Sequence, residues 1–349
     1  MSTENDRRRQ RADQRLFATM DDDDQRVTAR MEEIRAMNVS TPRDKLLSLR
    51  IGKMKQSLRS GDKKHRILFV TGESNAGKSR LVANALAADA AFRKYEDDDG
   101  WATPLLLQDA PSPCTQRNFA IRLINGLGFP VRAKIRESEI WPLLEDQLRA
   151  HRVRFIVIDE AQRTMKIKDQ AELQKLSDSL IGLVDSRDWP VRIILIGVDP
   201  LDILRTRDSQ MRNRSKPMRL AGIPAQKVGR IEIWIKEIIC DHAAFGMPDI
   251  DVADTARRLR HACDGNAGSI IELIRAAVEL VLKSGRSNVS AVDFAQAYAD
   301  LTDCEPQDNL FETKLWEALP SGLAKIVKTD DAEDASVNLK PLKPGERPR

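Results

Sequence analysis

Short apolar runs alternate with amphipathic stretches between residues 65 and 200. The runs Arg66–Thr71, Thr103–Gln108, Phe155–Ile158 and Arg192–Ile196 have the length and continuity of strands that are buried on both faces. Helical patterns lie between them, at about 78–91, 116–127, 138–151 and 171–185. Strands that alternate with helices predict an α/β fold, in which helices flank a parallel sheet on both faces.

Both ends of this region have a different pattern. A helix is predicted from Thr41 to about Ser60, because Thr41 can cap, Pro42 suits the first turn and Asp44 completes a capping box. Residues 1–40 carry mixed charge runs, which are typical of a solvated arm, helical in part from Asp24 to Met37. A specific docking segment is the alternative.

The strand pattern ends at about Ile223. Helical patterns then occupy roughly 227–244, 254–263, 269–283 and 290–301, which predicts a small all-helical domain. Beyond Pro320 the chain is rich in proline, lysine and aspartate and has little to bury. The predicted organisation is an arm (1–40), an α/β domain (41–223), a helical lid domain (224–303) and a largely disordered tail (304–349).

The composition excludes some classes of protein but does not identify a binding partner. Hydrophobic residues make up 41% of the chain and charged residues 32%, and the net charge of +4 permits a nucleic-acid partner without requiring one. No apolar run has the length of a membrane span or resembles a signal peptide. The four cysteines are scattered, which weighs against zinc and fits a reduced cytoplasm. We therefore expect a cytoplasmic protein with no membrane partner.

A phosphate-binding loop follows the first predicted strand. Residues Gly72–Ser79 match G-x-x-x-x-G-K-[ST] in full, and the loop opens a helix, which is the context this motif requires. We expect Lys78 to contact the β- and γ-phosphates of ATP and Ser79 to offer its hydroxyl to Mg²⁺. The expected ATP-binding positions are Gly72, Glu73, Ser74, Asn75, Ala76, Gly77, Lys78, Ser79 and Arg80.

Two acids end the third predicted strand. Asp159 is expected to hold Mg²⁺ and Glu160 to orient and polarise the attacking water. The alternative is a strand end with two solvated acids. Given the loop upstream, this pair favours ATP hydrolysis by water over phosphoryl transfer to a small acceptor.

Two later segments offer further candidates. Asp199 is the only polar candidate for a γ-phosphate sensor after the fourth strand, although a turn-forming Asp-Pro is the alternative. The basic segment Asp208–Lys216 contains Arg212 and Arg214, either of which could reach the nucleotide of a neighbouring subunit and act as a catalytic arginine. A solvated basic turn is the alternative.

The order of these parts resembles an AAA+ P-loop ATPase. Within that class, residues 41–300 resemble the TniB/TnsC family of transposition ATPases, relatives of the phage Mu B protein. The stretches Leu68–Ser79, Asp109–Thr115, Ile158–Gln162 and Asp208–Arg214 carry the resemblance. They are similar to the family's phosphate loop, its proline-bearing segment, its I-D-E-x-[HQ] and its D-x-Q-[LM]-x-x-R-F.

The resemblance implies a function. Proteins of this family bind ATP, assemble as rings or filaments on double-stranded DNA and connect a target-selecting protein, here TniQ-like, to the transposase. Hydrolysis would then drive disassembly. Arg214 falls on the family's arginine and is the first choice for the trans-acting residue, although Ser215 replaces the following phenylalanine. Ser269 stands where a second sensor arginine often lies, which implies either slow hydrolysis or a site that another group completes.

The resemblance also implies a DNA-contacting surface. Arg117, Lys134, Arg136 and Ser138 lie in the two segments that line the ring interior in the family. Such side chains suit phosphate oxygens and carry no base specificity, but ordinary surface charge is the alternative. Two other functions stay open: an AAA+ switch of another system, secretion-associated or initiator-like, and a nucleotide-gated interaction module with little turnover.

Overall fold

The computed structural model describes residues 4–131, 135–167 and 169–326. These residues divide into two compact units. One is an α/β unit, Thr41–Ala221, and the other is a helical unit that joins the described residues up to Ser40 with Gly222–Ile326. None of the helices among these residues is long and apolar enough to cross a membrane.

The secondary structure follows the predicted alternation. Three helices precede the first strand: α1 (Glu4–Phe17), α2 (Asp22–Ala36) and α3 (Pro42–Ser60). The α/β unit continues with β1 (Ile67–Gly72), α4 (Lys78–Ala88), β2 (Tyr95–Asp97), β3 (Gly100–Ala102), β4 (Leu105–Asp109), α5 (Gln116–Gly126), α6 (Glu137–Ala150), β5 (Phe155–Asp159), α7 (Gln170–Asp185), β6 (Arg192–Gly197), α8 (Leu201–Arg207), α9 (Ser209–Arg214) and β7 (Ser215–Leu220). The helical unit adds α10 (Gly229–Lys236), α11 (Val252–Ala262), α12 (Ala267–Lys283) and α13 (Ala291–Thr302).

The main sheet has five strands in the order β4-β5-β6-β1-β7. All its pairings are parallel, as the alternation of strands and helices predicts. β6 lies between β1 and β5, so the strand that precedes the phosphate loop and the strand that carries the two acids are separated by one strand. β2 and β3 form a separate antiparallel hairpin.

Helices cover both faces of this sheet. In β1, Ile67 and Phe69 point into one hydrophobic cluster, with α5, α6 and α7, while Leu68 and Val70 point into another, with α3 and α4. This alternation is the pleat of a strand that is buried on both faces, and it explains the continuous apolar run in the sequence.

The fifth strand, β7, was not predicted. It lies at the edge of the sheet beside β1, and only Ser215, Met218 and Leu220 are buried. Its Pro217 lacks an N–H, which an edge strand tolerates. A short edge strand of this kind has too few apolar residues to stand out from the basic segment before it.

The start of α3 agrees with the expected capping, whereas α6 starts one residue before its predicted range. At α3 the backbone N–H and the hydroxyl of Thr41 both donate to Asp44 Oδ2, at 2.6 and 2.8 Å. α6 begins at Glu137 and not at Ser138, and Arg136 occupies the N-cap position. The backbone N–H of Arg136 donates to Glu139 at 3.5 Å, so the acid three residues on decides where this helix starts.

Residues 22–36 differ from the expected solvated arm. α2 buries Val27, Met31 and Ile34 in the core of the helical unit. The buried Arg275 guanidinium donates to the carbonyls of Ile34 and Met37, each at 3.5 Å, at the carboxyl end of α2. Three apolar side chains on one face, together with the hydrogen bonds from Arg275, thus dock a helix that is otherwise charged.

The expected tail also differs from the structure in its first part. Leu310, Trp316 and Ala324 are buried in the core of the helical unit, so residues 304–326 belong to that unit. Their few apolar residues follow no helical or strand period, which is why the sequence pattern favoured a tail. Residues 327–349 lie outside the described part of the chain.

We predict that Ile34→Ala destabilises the helical unit. Ile34 is 0% exposed, and truncation of a fully buried isoleucine typically costs about 2–5 kcal/mol. Hydrogen exchange in the full-length protein should show lower protection in α12, against which α2 packs. Leu16→Ala on the exposed α1 is the control, because Leu16 is 68% exposed. Equal protection in the two variants would show that α2 does not stabilise this unit.

Candidate functional site

The phosphate loop joins β1 to α4 through backbone conformations that favour glycine. Gly77 has φ +82° at the N-cap of α4, and Gly72 has φ +153°. A Cβ on Gly72 would lie 2.6 Å from the carbonyl oxygen of Leu220 on β7. Glycine at 72 therefore lets the loop leave the sheet beside β7, and glycine at 77 turns the chain into the helix.

Lys78 is buried and its ammonium lies inside the loop. Its Nζ donates to the carbonyl oxygens of Gly72 at 3.0 Å and of Glu73 at 2.6 Å. Because Lys78 is also the first residue of α4, the positive end of that helix and the ammonium point to the same place. This arrangement suits the oxygens of a polyphosphate.

One cavity of ≈ 190 Å³ brings the predicted residues together. Its walls come from the loop and the amino end of α4, from the end of β5 and from the end of β6. The lining residues are Ser74, Asn75, Ala76, Gly77, Lys78, Ser79, Arg80, Asp159, Glu160, Gln162, Gly197 and Val198. Of the expected ATP-binding positions, Gly72 and Glu73 are not in this lining and lie at the base of the loop.

The two acids take up different positions at the end of β5. Asp159 Oδ1 accepts a hydrogen bond from the backbone N–H of Glu160 at 2.8 Å. Glu160 itself has φ +52° and precedes the 3₁₀ turn Ala161–Lys166. A left-handed conformation is uncommon for a residue other than glycine, and such residues concentrate at functional sites.

The oxygen ligands of this site suit Mg²⁺. The hydroxyl-bearing Ser79 and the carboxylate of Asp159 line the same cavity, and both also line an adjoining crevice of ≈ 310 Å³ that includes Asp109. Mg²⁺ prefers hard oxygen ligands and usually binds through one or two protein groups together with substrate phosphates. Ser79 and Asp159 therefore fit the metal that a bound triphosphate would bring.

The candidate γ-phosphate sensor, Asp199, does not line this cavity, which agrees with the alternative of a turn-forming Asp-Pro. Its carboxylate pairs with Arg219 of β7, with Nη2 and Oδ2 2.6 Å apart. The residues of β6 and its end that do line the cavity are Gly197 and Val198, which have no polar side chain. Gln162, which the sequence analysis did not single out, is the remaining polar side chain of the lining. Its only signal in the sequence was its place at the end of Ile158–Gln162.

The segment Asp208–Arg214 is helix α9 with its N-cap, held against α7. Asp208 caps α9 through the backbone N–H of Gln210 at 2.7 Å and accepts from Ser177 at 3.1 Å and Gln174 at 3.3 Å on α7. Burial raises the pKa of Asp208, but these donors outweigh it and the net pKa is lowered. Met211 is fully buried in the sheet's core. This end of α9 is therefore anchored by hydrogen bonds and by packing.

Arg214 anchors the other end of α9. Its Nε lies 2.6 Å from Oδ2 of Asp185, the last residue of α7, and Arg66 pairs with the same carboxylate. Burial raises the pKa of Asp185, but the two arginines outweigh it and the net pKa is lowered. Arg212 is exposed, and its guanidinium makes no hydrogen bond or ion pair to the described residues. The two candidate arginines thus differ: Arg214 has a partner in its own chain, and Arg212 faces outward.

The expected DNA-contacting residues lie at the starts of two neighbouring helices. Arg117 is half-buried in the first turn of α5, whereas Arg136 and Ser138 are exposed at the start of α6. α5 and α6 pack against each other. Lys134 lies outside the described residues.

Ser269 occupies the position in the helical unit where a sensor arginine was considered, and its side chain carries no positive charge. It is fully buried in the first turn of α12, and its hydroxyl contacts Asn266 Oδ1 at 3.2 Å and accepts from the backbone N–H of Ile326 at 3.1 Å. Its contacts therefore stabilise the amino end of α12.

One family model and several solved structures are similar to this chain. The family model described as Bacterial TniB protein matches residues 46–223, which is half of the chain. No curated relative matches. Among solved structures, the ORC2 protein of Aeropyrum pernix, solved as ADPNP and ADP complexes, is similar, with 14% identity and a TM-score of 0.54, over 78% of this chain and 73% of that chain.

A second solved structure shows the same architecture. Cdc6p of Pyrobaculum aerophilum is similar with 13% identity and a TM-score of 0.52, again over 78% of this chain and 73% of that chain. At such low identity these two likenesses show the fold alone. The fold is that of AAA+ ATPases, as expected from the sequence.

We predict that Asp185→Asn destabilises the α/β unit most strongly at neutral pH. The lowered pKa of Asp185 means that its ion pairs stabilise the fold above the ordinary carboxyl pKa, and that this contribution is lost as the pH falls through the lowered value. The variant should lose about 1–3 kcal/mol near pH 7.

Urea unfolding near pH 7 and well below the ordinary carboxyl pKa measures this difference, which should shrink at the lower pH. Asp178→Asn, an exposed acid on the same helix, is the matched control. A loss that is equal at both pH values would show that the carboxylate charge is not what stabilises α9 on α7.

Proposed function

Because this chain belongs to the bacterial TniB family, we propose that it is an ATP-dependent regulator of DNA transposition. It binds ATP with Mg²⁺, assembles as a ring or filament on double-stranded DNA and disassembles on hydrolysis. The observation that carries the proposal is the single cavity lined by Lys78, Ser79, Asp159 and Glu160. These four residue types, in these places, suit the hydrolysis of a nucleoside triphosphate.

Each of these residues has a distinct role in the proposed reaction. The loop N–H groups and Lys78 bind the phosphates, and Lys78 adds positive charge where negative charge develops. Ser79 and Asp159 would hold Mg²⁺, which would supply positive charge to the phosphates. The Glu160 carboxylate orients the attacking water and accepts its proton.

We assign the trans-acting role to Arg212 in preference to Arg214. An arginine that stabilises charge in a neighbouring site must project from its own subunit, and Arg212 is exposed on α9. Arg214 forms an ion pair with Asp185 of its own chain. Removal of the Arg214 side chain would leave the partly buried Asp185 carboxylate with one partner fewer. Arg214 therefore holds α9 in place, and Arg212 acts from it.

The proposed DNA contacts are Arg117, Arg136 and Ser138, together with Lys134. Cations beside two helix amino ends suit phosphate oxygens without reading bases. Family membership supports the further proposal of a cytoplasmic protein that connects a TniQ-like target selector to the transposase. A nucleotide-gated module with little turnover is the second candidate, because Ser269 is buried and uncharged.

We predict opposite effects for two substitutions in the cavity. Lys78→Ala should abolish nucleotide binding, because it removes the ammonium that the phosphates need. Glu160→Gln should keep ATP binding, lower hydrolysis by at least about 100-fold and trap assemblies on DNA. ATP turnover and negative-stain imaging with duplex DNA and ATP measure both effects.

The imaging also tests the transposition proposal itself. Wild-type protein with a non-hydrolysable ATP analogue should form rings or filaments on duplex DNA, and raised salt should weaken them. If assemblies form equally well without DNA, an AAA+ switch of another system is the better description. Normal hydrolysis by Glu160→Gln would contradict the role given to that residue.

A mixing experiment separates the two arginines. Arg212→Ala subunits and Lys78→Ala subunits should each be inactive alone, whereas their mixture should regain part of the ATPase activity. The gain is expected because a Lys78→Ala subunit can supply Arg212 to an intact neighbouring site. Arg214→Ala should instead lower the stability of the α/β unit. Rescue with Arg214→Ala but not with Arg212→Ala would reverse the assignment.

A further inference from the structure

The end of β6 faces the reaction site without a polar side chain of its own. Gly197 and Val198 line the nucleotide cavity, and the carboxylate of Asp199 is paired with Arg219. β6 lies between β1 and β5, so its end is the part of the sheet between Lys78 and Glu160. Because neither Gly197 nor Val198 has a polar side chain, any polar side chain beside the end of β6 in this cavity comes from another element.

Gln162 supplies that group from the turn that follows β5. Its side chain is 4% exposed and lines the cavity. Its Oε1 accepts a hydrogen bond from the backbone N–H of Val198 at 3.4 Å, and its Nε2 donates to Glu160 Oε2 at 2.7 Å. One amide therefore connects the end of β6 to the carboxylate that the proposed reaction uses.

Gly197 makes room for this amide. A Cβ at residue 197 would lie 2.6 Å from Gln162 Oε1 and 3.0 Å from the backbone nitrogen of Gln162. Any side chain larger than hydrogen would push Gln162 away from β6. Since φ of Gly197 is not in the left-handed region, space and not backbone conformation accounts for a glycine here.

We propose that Gln162 is the positioning residue for Glu160. Its amide holds the Glu160 carboxylate at the cavity and couples that carboxylate to the end of β6, in place of a polar side chain on β6 itself. An amide suits this task because it donates and accepts at the same time and carries no charge to compete with bound phosphate. The proposal rests on the ATPase function proposed above and names a residue that acts through Glu160.

Kinetics of the full-length protein test the proposal. Gln162→Ala should lower kcat by about 10- to 100-fold, the size expected when a reacting group is misplaced, while the KM for ATP stays within about twofold because ATP binding does not need Glu160. Gln162→Glu has the same shape but turns an acceptor toward Glu160, so it should lose as much kcat. Gln296→Ala, which removes an exposed amide that donates to Asp300 at 2.7 Å, is the matched control and should keep the wild-type kcat.

Two further variants test the coupling. Gly197→Ala should reproduce the loss in kcat, and the double variant Gly197→Ala/Gln162→Ala should lose no more than either single variant. In a Glu160→Gln background, Gln162→Ala should have no further effect. Wild-type kcat in Gln162→Glu would overturn the proposal, because it would leave Gln162 a packing role only. Loss of ATP binding in Gln162→Ala would overturn it as well.

A measurement without turnover separates this proposal from the function on which it rests. In protein labelled with [¹⁵N]glutamine, the Gln162 side-chain amide is the resonance that disappears in Gln162→Ala. It should shift in Glu160→Ala and in Gly197→Ala and stay in place in Gln296→Ala. If the wild-type protein hydrolyses no ATP but these shifts occur, the ATPase proposal fails and the link between Gln162 and Glu160 stands. Absence of the shifts would overturn the link, whatever the turnover.

Discussion

The parallel insertion of β6 between β1 and β5 is the constraint on which the site depends. Neighbouring strands lie about 4.8 Å apart, so the ends of β1 and β5 are separated by about 10 Å. That gap leaves room for phosphate and metal between the loop of β1 and the acids of β5. The strand inside the gap ends at Gly197, where the absence of a side chain leaves room for the Gln162 amide.

α9 carries both anchoring side chains and one exposed arginine, Arg212. Three side chains of this segment hold α9 in place. Asp208 and Arg214 bind residues of α7, and Met211 is buried in the core of the sheet. Arg212, between the fastened positions, points away from them. In the function that we propose, an arginine that acts on a neighbouring subunit needs a fixed helix beneath it, and the anchoring residues would fix α9 for Arg212.

Much of the fold and part of the site could be predicted from local patterns. The three inner strands, β5, β6 and β1, are continuous apolar runs because both of their faces are buried. β4 was also predicted from its apolar run, but it is an edge strand in which only Leu106 is buried. The helices between the strands carry their own amphipathic periods. The edge strand β7, the docking of helix α2 on the helical unit's core and the packing of residues 304–326 escaped prediction. Each buries only a few side chains, so the energy that places it comes from distant partners such as Arg275 and leaves little trace in local sequence.

The sequence by itself determined the chemistry of the phosphate loop and of the two acids. The local backbone of the loop needs glycine, and the ligand needs lysine, serine and carboxylate groups at those spacings. Only the tertiary structure decided which polar side chains meet there. In the folded chain, Asp199 pairs with Arg219 and Arg214 pairs with Asp185. Gln162 donates a hydrogen bond to Glu160 and lies at the end of β6. These pairings join residues on different elements, and their partners are set by strand order and helix packing, which no local pattern records.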